Sequence, residues 1–146
     1  MRAPIMAEMA SGRILIADGA TGTMLQQAGL PAGKPGEYWV LEQPAEIIKL
    51  HRAYLSAGAE FILTATFGGT RSRLRTAGLD EKVAEINLRA AELAREAAGD
   101  DVFVAGDIGP SGEMMTPLGK LTFESAVDLF AEQAHALSSG PVDCIY

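Results

Sequence analysis

A short polar turn near the N-terminus has the residue types needed to bind an amino acid. Asp18 ends an apolar run and is followed by Gly19, Ala20, Thr21 and Gly22. Small residues let a ligand approach the backbone, and the N–H groups of such a turn suit a carboxylate. An anionic side chain beside these amides fits a zwitterion, whose ammonium group would meet Asp18. The alternative is that Asp18 caps a helix beginning near residue 21 and the glycines only form a tight turn.

Three further polar residues follow later apolar runs. Thr64 and Thr66 share one face of a predicted strand, because side chains alternate with a period of two. Their hydroxyls are candidate donors in a binding site, although β-branched threonine is also simply a good strand former. Asp107 lies between Gly106 and Gly109 and repeats the arrangement around Asp18. The alternative for Asp107 is a hydrogen bond to a neighbouring loop.

The histidines and the cysteine do not form a metal-ligand pattern. His51 and His135 fall inside predicted helices, without a second histidine at ligand spacing. Cys144 is the single cysteine of the sequence, so it forms neither an internal disulfide nor, alone, a thiolate zinc cage. We therefore expect no metal site built from these residues.

Four apolar runs recur about every forty residues and predict strands that carry these polar groups. The runs are 14–17, 61–66, 102–105 and 142–146. They are nearly continuous in apolar character, which is typical of parallel strands covered on both faces. Because functional residues gather at the carboxyl ends of parallel strands, we expect the polar residues to lie at one end of the sheet.

Capping residues and periodicity predict the helices between the runs. One helix begins at Pro44 and ends at Gly58, a second is capped by Asp80 and closed by Gly99, and a third is capped by Thr122. The residues of the third helix expected to face inward are Phe123, Ala126, Val127, Phe130, Ala134 and Leu137. A shorter helix is predicted from about residue 21 to residue 28. Segment 30–43 is rich in proline and glycine and is predicted to be an irregular loop.

Two architectures fit this alternation: a small doubly wound sheet and part of a (β/α)8 barrel. Residues 19–23 lack the G-x-G-x-x-G spacing and the lysine of phosphate-binding loops, so cofactor fingerprints do not favour the first. A complete barrel needs about 250 residues, whereas these 146 residues end inside an apolar strand. We therefore expect a truncated α/β domain over residues 1–146, a partial barrel of about four βα units with parallel strands.

The composition excludes several classes of protein. With 48% hydrophobic residues, the chain is not disordered. Its net charge of −7, without a visible basic patch, repels a phosphate backbone and argues against nucleic-acid binding. No apolar run approaches the roughly 18–20 residues of a membrane span, and the N-terminus lacks the apolar stretch of a signal peptide. We expect a cytoplasmic protein that binds a small molecule, without membrane association.

Several segments together resemble the homocysteine S-methyltransferase family, which includes the homocysteine-binding domain of cobalamin-dependent methionine synthase and betaine–homocysteine methyltransferase. The matching segments are ILIADGATGTMLQ (14–26), HRAYLSAGAEFILTATFGGTRSRL (51–74), INLRAAELAREAA (86–98) and VAGDIGPSGEMMTPLGKLTFESA (104–126). They cover nearly the whole chain in the family's order. One departure is Ala65, where the family commonly has asparagine in the form T-N-T-F.

The resemblance implies a (β/α)8 barrel that binds zinc through three cysteines and transfers a methyl group to the thiol of homocysteine, giving methionine. A free thiol has a pKa of about 8.5, whereas a zinc-bound thiol is deprotonated. The family's metal cysteines follow later strands, and Cys144 matches none of them. The methyl donor stays open between methyltetrahydrofolate through cobalamin, betaine and S-methylmethionine.

Carried over residue by residue, the resemblance gives a homocysteine-binding site without a catalytic residue. Asp18 and the backbone of Gly19 and Ala20 match the binding turn. Thr64 and Thr66 would line the pocket. Asp107 would stand near its floor.

Two other functions compete with this one. The first is a non-catalytic half-barrel that associates with itself, or with a complementary fragment, through exposed strand edges. The second is a different barrel enzyme acting on a small anionic substrate, such as an aldolase, although no lysine at a strand end supports Schiff-base chemistry. Under the leading hypothesis, the isolated 146-residue chain has no methyl-transfer activity.

Overall fold

A computed structural model of the protein describes residues 4–146. Its helices are α1 (Ile5–Ala10), α2 (Thr21–Gln27), α3 (Glu37–Glu42), α4 (Pro44–Ser56), α5 (Arg71–Arg75), α6 (Val83–Ala98) and α7 (Phe123–Ser138). Its strands are β1 (Phe61–Leu63), β2 (Phe103–Gly106) and β3 (Cys144–Ile145). A 3-10 turn at Asp80–Lys82 directly precedes α6.

The strands form one parallel sheet in the order β1-β2-β3. In this register Ile62 of β1 lies beside Val104 of β2, and Ala105 of β2 lies beside Cys144 of β3. The predicted parallel α/β architecture is therefore confirmed. β2 is buried at all four positions, as its continuous apolar character predicts.

The first apolar run differs from the prediction of a regular strand. It contributes only a parallel bridge between Ala17 and Phe61, on the side of β1 opposite β2. Ile14 is 87% exposed and Ile16 is 60% exposed. The reason is tertiary: this run has a neighbouring strand on one side only, whereas β2 is paired on both sides among the described residues.

The ends of three helices follow local sequence signals. Proline occupies the first turn of α4, and a glycine with a left-handed φ of 104°, Gly58, follows its end. Gly99 closes α6 with φ of 61°. The Oγ1 of Thr122 accepts the Ser125 N–H at 3.1 Å and caps α7. The predicted short helix near residues 21–28 is α2.

Three local predictions were wrong. Asp80 does not cap α6, because the 3-10 turn intervenes and Lys82 occupies the cap position without a side-chain bond. Segment 30–43 is not wholly irregular, since α3 forms where Trp39 and Val40 bury their side chains. Phe123 and Val127 do not face inward. They are 68% and 49% exposed, whereas Ala126 between them is buried, so the packed face of α7 is narrower in its first turns than the apolar pattern predicts.

The helices pack beside the sheet, with α6 in contact with both α4 and α7. One small core cluster joins β1 and β2 to α6 through Ile62, Val104 and Ala94. A larger cluster fills the space among α2, α3, α4 and α6; its buried members are Leu25, Leu30, Trp39, Val40, Ile47, Leu50, Ala65, Leu74, Val83, Ile86, Ala90 and Leu93. Among residues 4–146, no helix has both the length and the apolarity to cross a bilayer.

Candidate substrate-binding cleft

A cleft of about 510 Å³ opens at the carboxyl ends of the strands. It is lined by Gly19, Ala20, Thr21, Gly22, Thr23, Gln26, Leu30, Lys34, Pro35, Gly36, Glu37, Leu63, Thr64, Ala65, Phe67, Gly68, Arg73 and Asp107. Four of the six predicted site residues therefore lie on its wall. Asp18 and Thr66 are not among the lining residues.

Asp18 is held against β1. Its backbone N–H donates to the Phe61 carbonyl at 2.9 Å, and its Oδ2 accepts the Leu63 N–H at 3.1 Å. Its Oδ1 is buried and has no donor among residues 4–146. Burial raises the pKa of the carboxyl to about 6, against the opposing effect of the Leu63 N–H. Asp18 is therefore an acceptor with one oxygen that the described chain does not satisfy.

Asp18 does not cap the following helix, so that alternative is wrong. The cap position of α2 belongs to Ala20, and no side chain bonds the first turn. Tyr54 supports the turn instead: its hydroxyl donates to the Ala20 carbonyl at 2.9 Å. A Cβ on Gly19 would lie 3.1 Å from the Tyr54 hydroxyl oxygen, so a small residue allows this approach.

The two threonines and Asp107 form a closed ring of hydrogen bonds. The Asp107 N–H donates to Thr64 Oγ1 at 2.9 Å, and Thr66 Oγ1 donates to the Asp107 carbonyl at 2.7 Å. Because a hydroxyl has a single proton, the remaining 2.6 Å bond runs from Thr64 to Thr66. Both hydroxyl protons are thus used inside the fold. Thr66 is fully buried and Thr64 is 1% exposed, so the ring fixes the strand ends.

Asp107 lies on the cleft wall and is 8% exposed. Its backbone bonds the loop after β1, through Thr64 and Thr66, so the alternative of a bond to a neighbouring loop holds for the backbone; within residues 4–146 no donor to the carboxylate is found. Its pKa is raised to about 6, first by burial and then by the charges of Asp18 and Glu37. These carboxylates therefore lie within electrostatic range of one another.

Glu37 is a site residue that the sequence analysis missed. It lies at the start of α3, lines the cleft and is 5% exposed. Its Oε1 accepts the Gly68 N–H at 2.5 Å. Burial raises its pKa, while the Gly68 N–H and the charge of Arg73 act in the opposite direction. The only sequence signal was a glutamate inside an apparent loop, at Gly36–Tyr38.

Cationic groups lie on the same cleft. Arg73 lines it without an ion pair or side-chain hydrogen bond among the described residues. Lys34 also lines it and lies 4.9 Å from the centroid of the Tyr38 ring. The cleft therefore presents carboxylates, backbone amides and cations together, a combination suited to a zwitterionic ligand.

The residues of the structure do not form a metal centre. Within residues 4–146 no three His, Cys, Asp or Glu side chains are placed to hold a metal ion. Cys144 is half-buried in β3, and burial, followed by the Asp143 charge, raises the pKa of its thiol. His51 is 1% exposed, and neither ring nitrogen has a partner in this part of the chain. Burial lowers its pKa to about 4, so it is neutral at pH 7.

Comparison with known proteins identifies a family and a related fold. Residues 15–146 match the profile of a family described as homocysteine S-methyltransferase. The chain is similar in structure to the homocysteine methyltransferase MmuM from Escherichia coli. For the oxidized form the TM-score is 0.81 at 26% identity, covering 99% of this chain and 56% of that chain. For the metallated form the TM-score is 0.80 at 25% identity, and the match covers 98% of this chain and 56% of that chain.

The chain thus spans a little over half the length of these MmuM chains. The likeness extends over almost all of this chain, in agreement with a partial (β/α)8 barrel. The motifs around Asp18 and Asp107 fall inside the matched range, which confirms the resemblance predicted from them. The protein is a member of the homocysteine S-methyltransferase family.

Proposed function

We propose that this chain provides the homocysteine-binding part of a cytoplasmic enzyme of methionine biosynthesis. The reaction transfers a methyl group from a donor to the thiol of homocysteine and yields methionine. The observation that carries the proposal is a cleft lined by Asp107, beside which Asp18 keeps one buried oxygen without a donor among residues 4–146. Family membership supplies the reaction class.

In this proposal the cleft binds both charged ends of homocysteine. The ammonium group approaches the acidic side, where Asp18 and Asp107 lie within electrostatic range of each other. The carboxylate approaches the backbone N–H groups of Gly19 and Ala20, two residues that line the cleft. The positive charge of the ammonium group offsets the cost of burying a charged carboxylate. Binding is therefore strongest at a pH where the ammonium group and both aspartates are ionised.

Zinc would supply thiol activation in the family, because a metal-bound thiol is deprotonated. The described residues do not fit such a metal site, since they offer neither a three-ligand group nor a second cysteine. Their part in the reaction is therefore to bind and orient the amino acid. As the 146-residue chain, we expect the protein to bind homocysteine without transferring a methyl group.

Calorimetric titration with homocysteine tests this proposal. Affinity should fall as pH is lowered from 7.5 through about 6, because the pKa values of both carboxyls are about 6 and protonation removes the charge that attracts the ammonium. D18N should weaken binding about tenfold at pH 7.5. The matched ligand 4-sulfanylbutanoate lacks the amino group and should bind more weakly, with little of this pH dependence. Equal binding of both ligands would contradict the proposal.

A non-catalytic half-barrel that pairs with a second copy or a complementary fragment is the second candidate. It is favoured by apolar exposure at both edges of the sheet, at Ile14 and Ile16 on one side and at Ile145 and Tyr146 on the other. Pairing would cover these side chains and the open strand edges. Analytical ultracentrifugation distinguishes the candidates: a defined dimer without homocysteine affinity supports pairing alone.

A further inference from the structure

Two buried amides join the helix layer to the strand ends. Gln133 of α7 and Asn87 of α6 are both fully buried. The Gln133 amide donates to the Thr66 carbonyl at 2.8 Å, to Asn87 Oδ1 at 3.1 Å and to the Asp107 carbonyl at 3.3 Å. Asn87 in turn donates to the Gly69 carbonyl at 2.9 Å. One side chain of α7 thus contacts the loops that follow both β1 and β2.

The carbonyls of Thr66 and Asp107 belong to the ends of neighbouring strands. The Asp107 carbonyl also receives the Thr66 hydroxyl at 2.7 Å. Gln133 therefore bonds two of the three residues that the threonine ring connects, and it does so from a helix. The spacing between the two strand ends depends on both sets of bonds.

The loop after β1 is fitted closely around these amides. A Cβ on Gly69 would lie 2.5 Å from Asn87 Oδ1 and 2.6 Å from Gln133 Nε2, which is too close for any side chain. The same loop holds Gly68, whose N–H donates to Glu37 on the cleft wall. A displacement of Gln133 would therefore move cleft residues in both the loop after β1 and the loop after β2.

The Gln133 amide has one unsatisfied atom. Its Oε1 is buried and has no donor among residues 4–146. Reversing the amide would place this oxygen against the carbonyls of Thr66 and Asp107, which are acceptors only. The orientation is thus fixed by the strand ends, at the cost of an unpaired oxygen. An apolar side chain would avoid that cost, so the specific contribution of glutamine is its donors.

We propose that Gln133 is a positioning residue, whose amide holds the two strand-end loops so that the Asp107 carboxylate faces the cleft. It does not touch the ligand, since it is fully buried and absent from the cleft wall. The inference deepens the proposed function, because its consequence for binding rests on homocysteine being the ligand of the cleft.

The test compares Q133M, which has similar length but no donor, with Q27M on the exposed surface of α2. In Q133M the strand ends separate, the Asp107 carboxyl becomes more hydrated, and its pKa falls from about 6 toward its ordinary value. NMR titration of carboxyl-labelled aspartate measures this shift. We also expect at least a fivefold loss of homocysteine affinity. Q27M should change neither quantity.

A folded Q133M with an unchanged Asp107 pKa would overturn the proposal and leave Gln133 a purely structural residue. If the wild-type chain binds no homocysteine, the proposed function fails, while the Asp107 titration still decides the role of Gln133. Should Q133M not fold, Q133N provides the measurement, because asparagine keeps the amide group on a side chain one carbon shorter and adds no charge. Its amide no longer reaches both carbonyls, so the Asp107 pKa is expected to fall toward its ordinary value, and a pKa that stays at about 6 would contradict the proposal.

Discussion

Asp18 and Asp107 both follow an apolar run and precede a glycine-containing turn, yet their surroundings in the fold differ. The backbone of Asp107 forms hydrogen bonds with Thr64 and Thr66, which follow β1, and with Gln133 of α7. Asp18 is bonded to β1 alone, through Leu63 and the Phe61 carbonyl. One acid lies in the middle of the sheet and the other at its edge.

The electrostatic result is nevertheless the same at both positions. Burial is the largest cause of the raised pKa of each carboxyl, and each reaches about 6. Burial of the acid and support of its backbone are therefore separate properties of the fold. The first depends on how many atoms surround the carboxyl, and the second depends on pairing partners on both sides of the strand.

The sheet interior and its edge should differ most in their contribution to stability, which isoleucine-to-alanine substitutions at one position of each kind can measure. Ile62→Ala, in β1 at a fully buried position, should lower the free energy of unfolding by about 2–5 kcal/mol because it leaves a cavity. Ile16→Ala, in the edge run where the side chain is 60% exposed, should change it by less than about 0.5 kcal/mol. Urea unfolding followed by circular dichroism measures both. Equal losses would show that the edge run is covered in solution.

Two glycine-to-alanine substitutions compare the loop after β1 with the turn after Asp18. Gly69→Ala should cost about 1–3 kcal/mol, because its Cβ would overlap Asn87 and Gln133. Gly22→Ala, in α2 after Asp18, meets no atom within 4 Å and should raise stability by up to about 1 kcal/mol through helix propensity. Thermal unfolding distinguishes the two signs. A destabilising Gly22→Ala would indicate that the turn after Asp18 is as tightly enclosed as the loop after β1.

The variants of the two acids should also differ in how their stability responds to pH. Because the folded-state pKa of Asp107 is raised from 3.8 to about 6, the folded chain binds more protons than the unfolded chain in that window, and this group adds stability as pH falls. D107N should therefore be more stable than the wild type at pH 7.5, with a smaller advantage at pH 5. D18N should gain less at pH 7.5, because the ionised Asp18 strengthens its bond from Leu63.

Each variant must be compared with the wild type at the same pH, because His51 changes stability with pH in the direction opposite to Asp107. The folded-state pKa of His51 is lowered to about 4, so the unfolded chain binds its proton first and stability is lost as pH falls below about 6.5. The His51 contribution is the same in the wild type and in both aspartate variants, so it cancels when the stability of the wild type is subtracted from that of a variant. An advantage of D107N that grows between pH 7.5 and pH 5 would contradict the assignment of the raised pKa to Asp107.

Local sequence signals predicted the elements whose ends depend on nearby residues. The proline that starts α4, the threonine that caps α7 and the glycines that close α4 and α6 each act within one helical turn. The position of Asp107 at a strand end also followed from the sequence, because β2 is a continuous apolar run. The same pattern failed at Ile14 and Ile16, since it does not encode how many strands lie beside it.

Sequence alone was enough to predict the α/β order, the family and the turn residues around Asp18, because each of these depends on residue type and local spacing. Only the tertiary structure brought Glu37, from a segment predicted to be a loop, to the N–H of Gly68. Only the tertiary structure placed Gln133 against two carbonyls 67 and 26 residues away in the chain. The physical reason is that a hydrogen bond between distant segments depends on how whole layers pack, and no local pattern records that geometry.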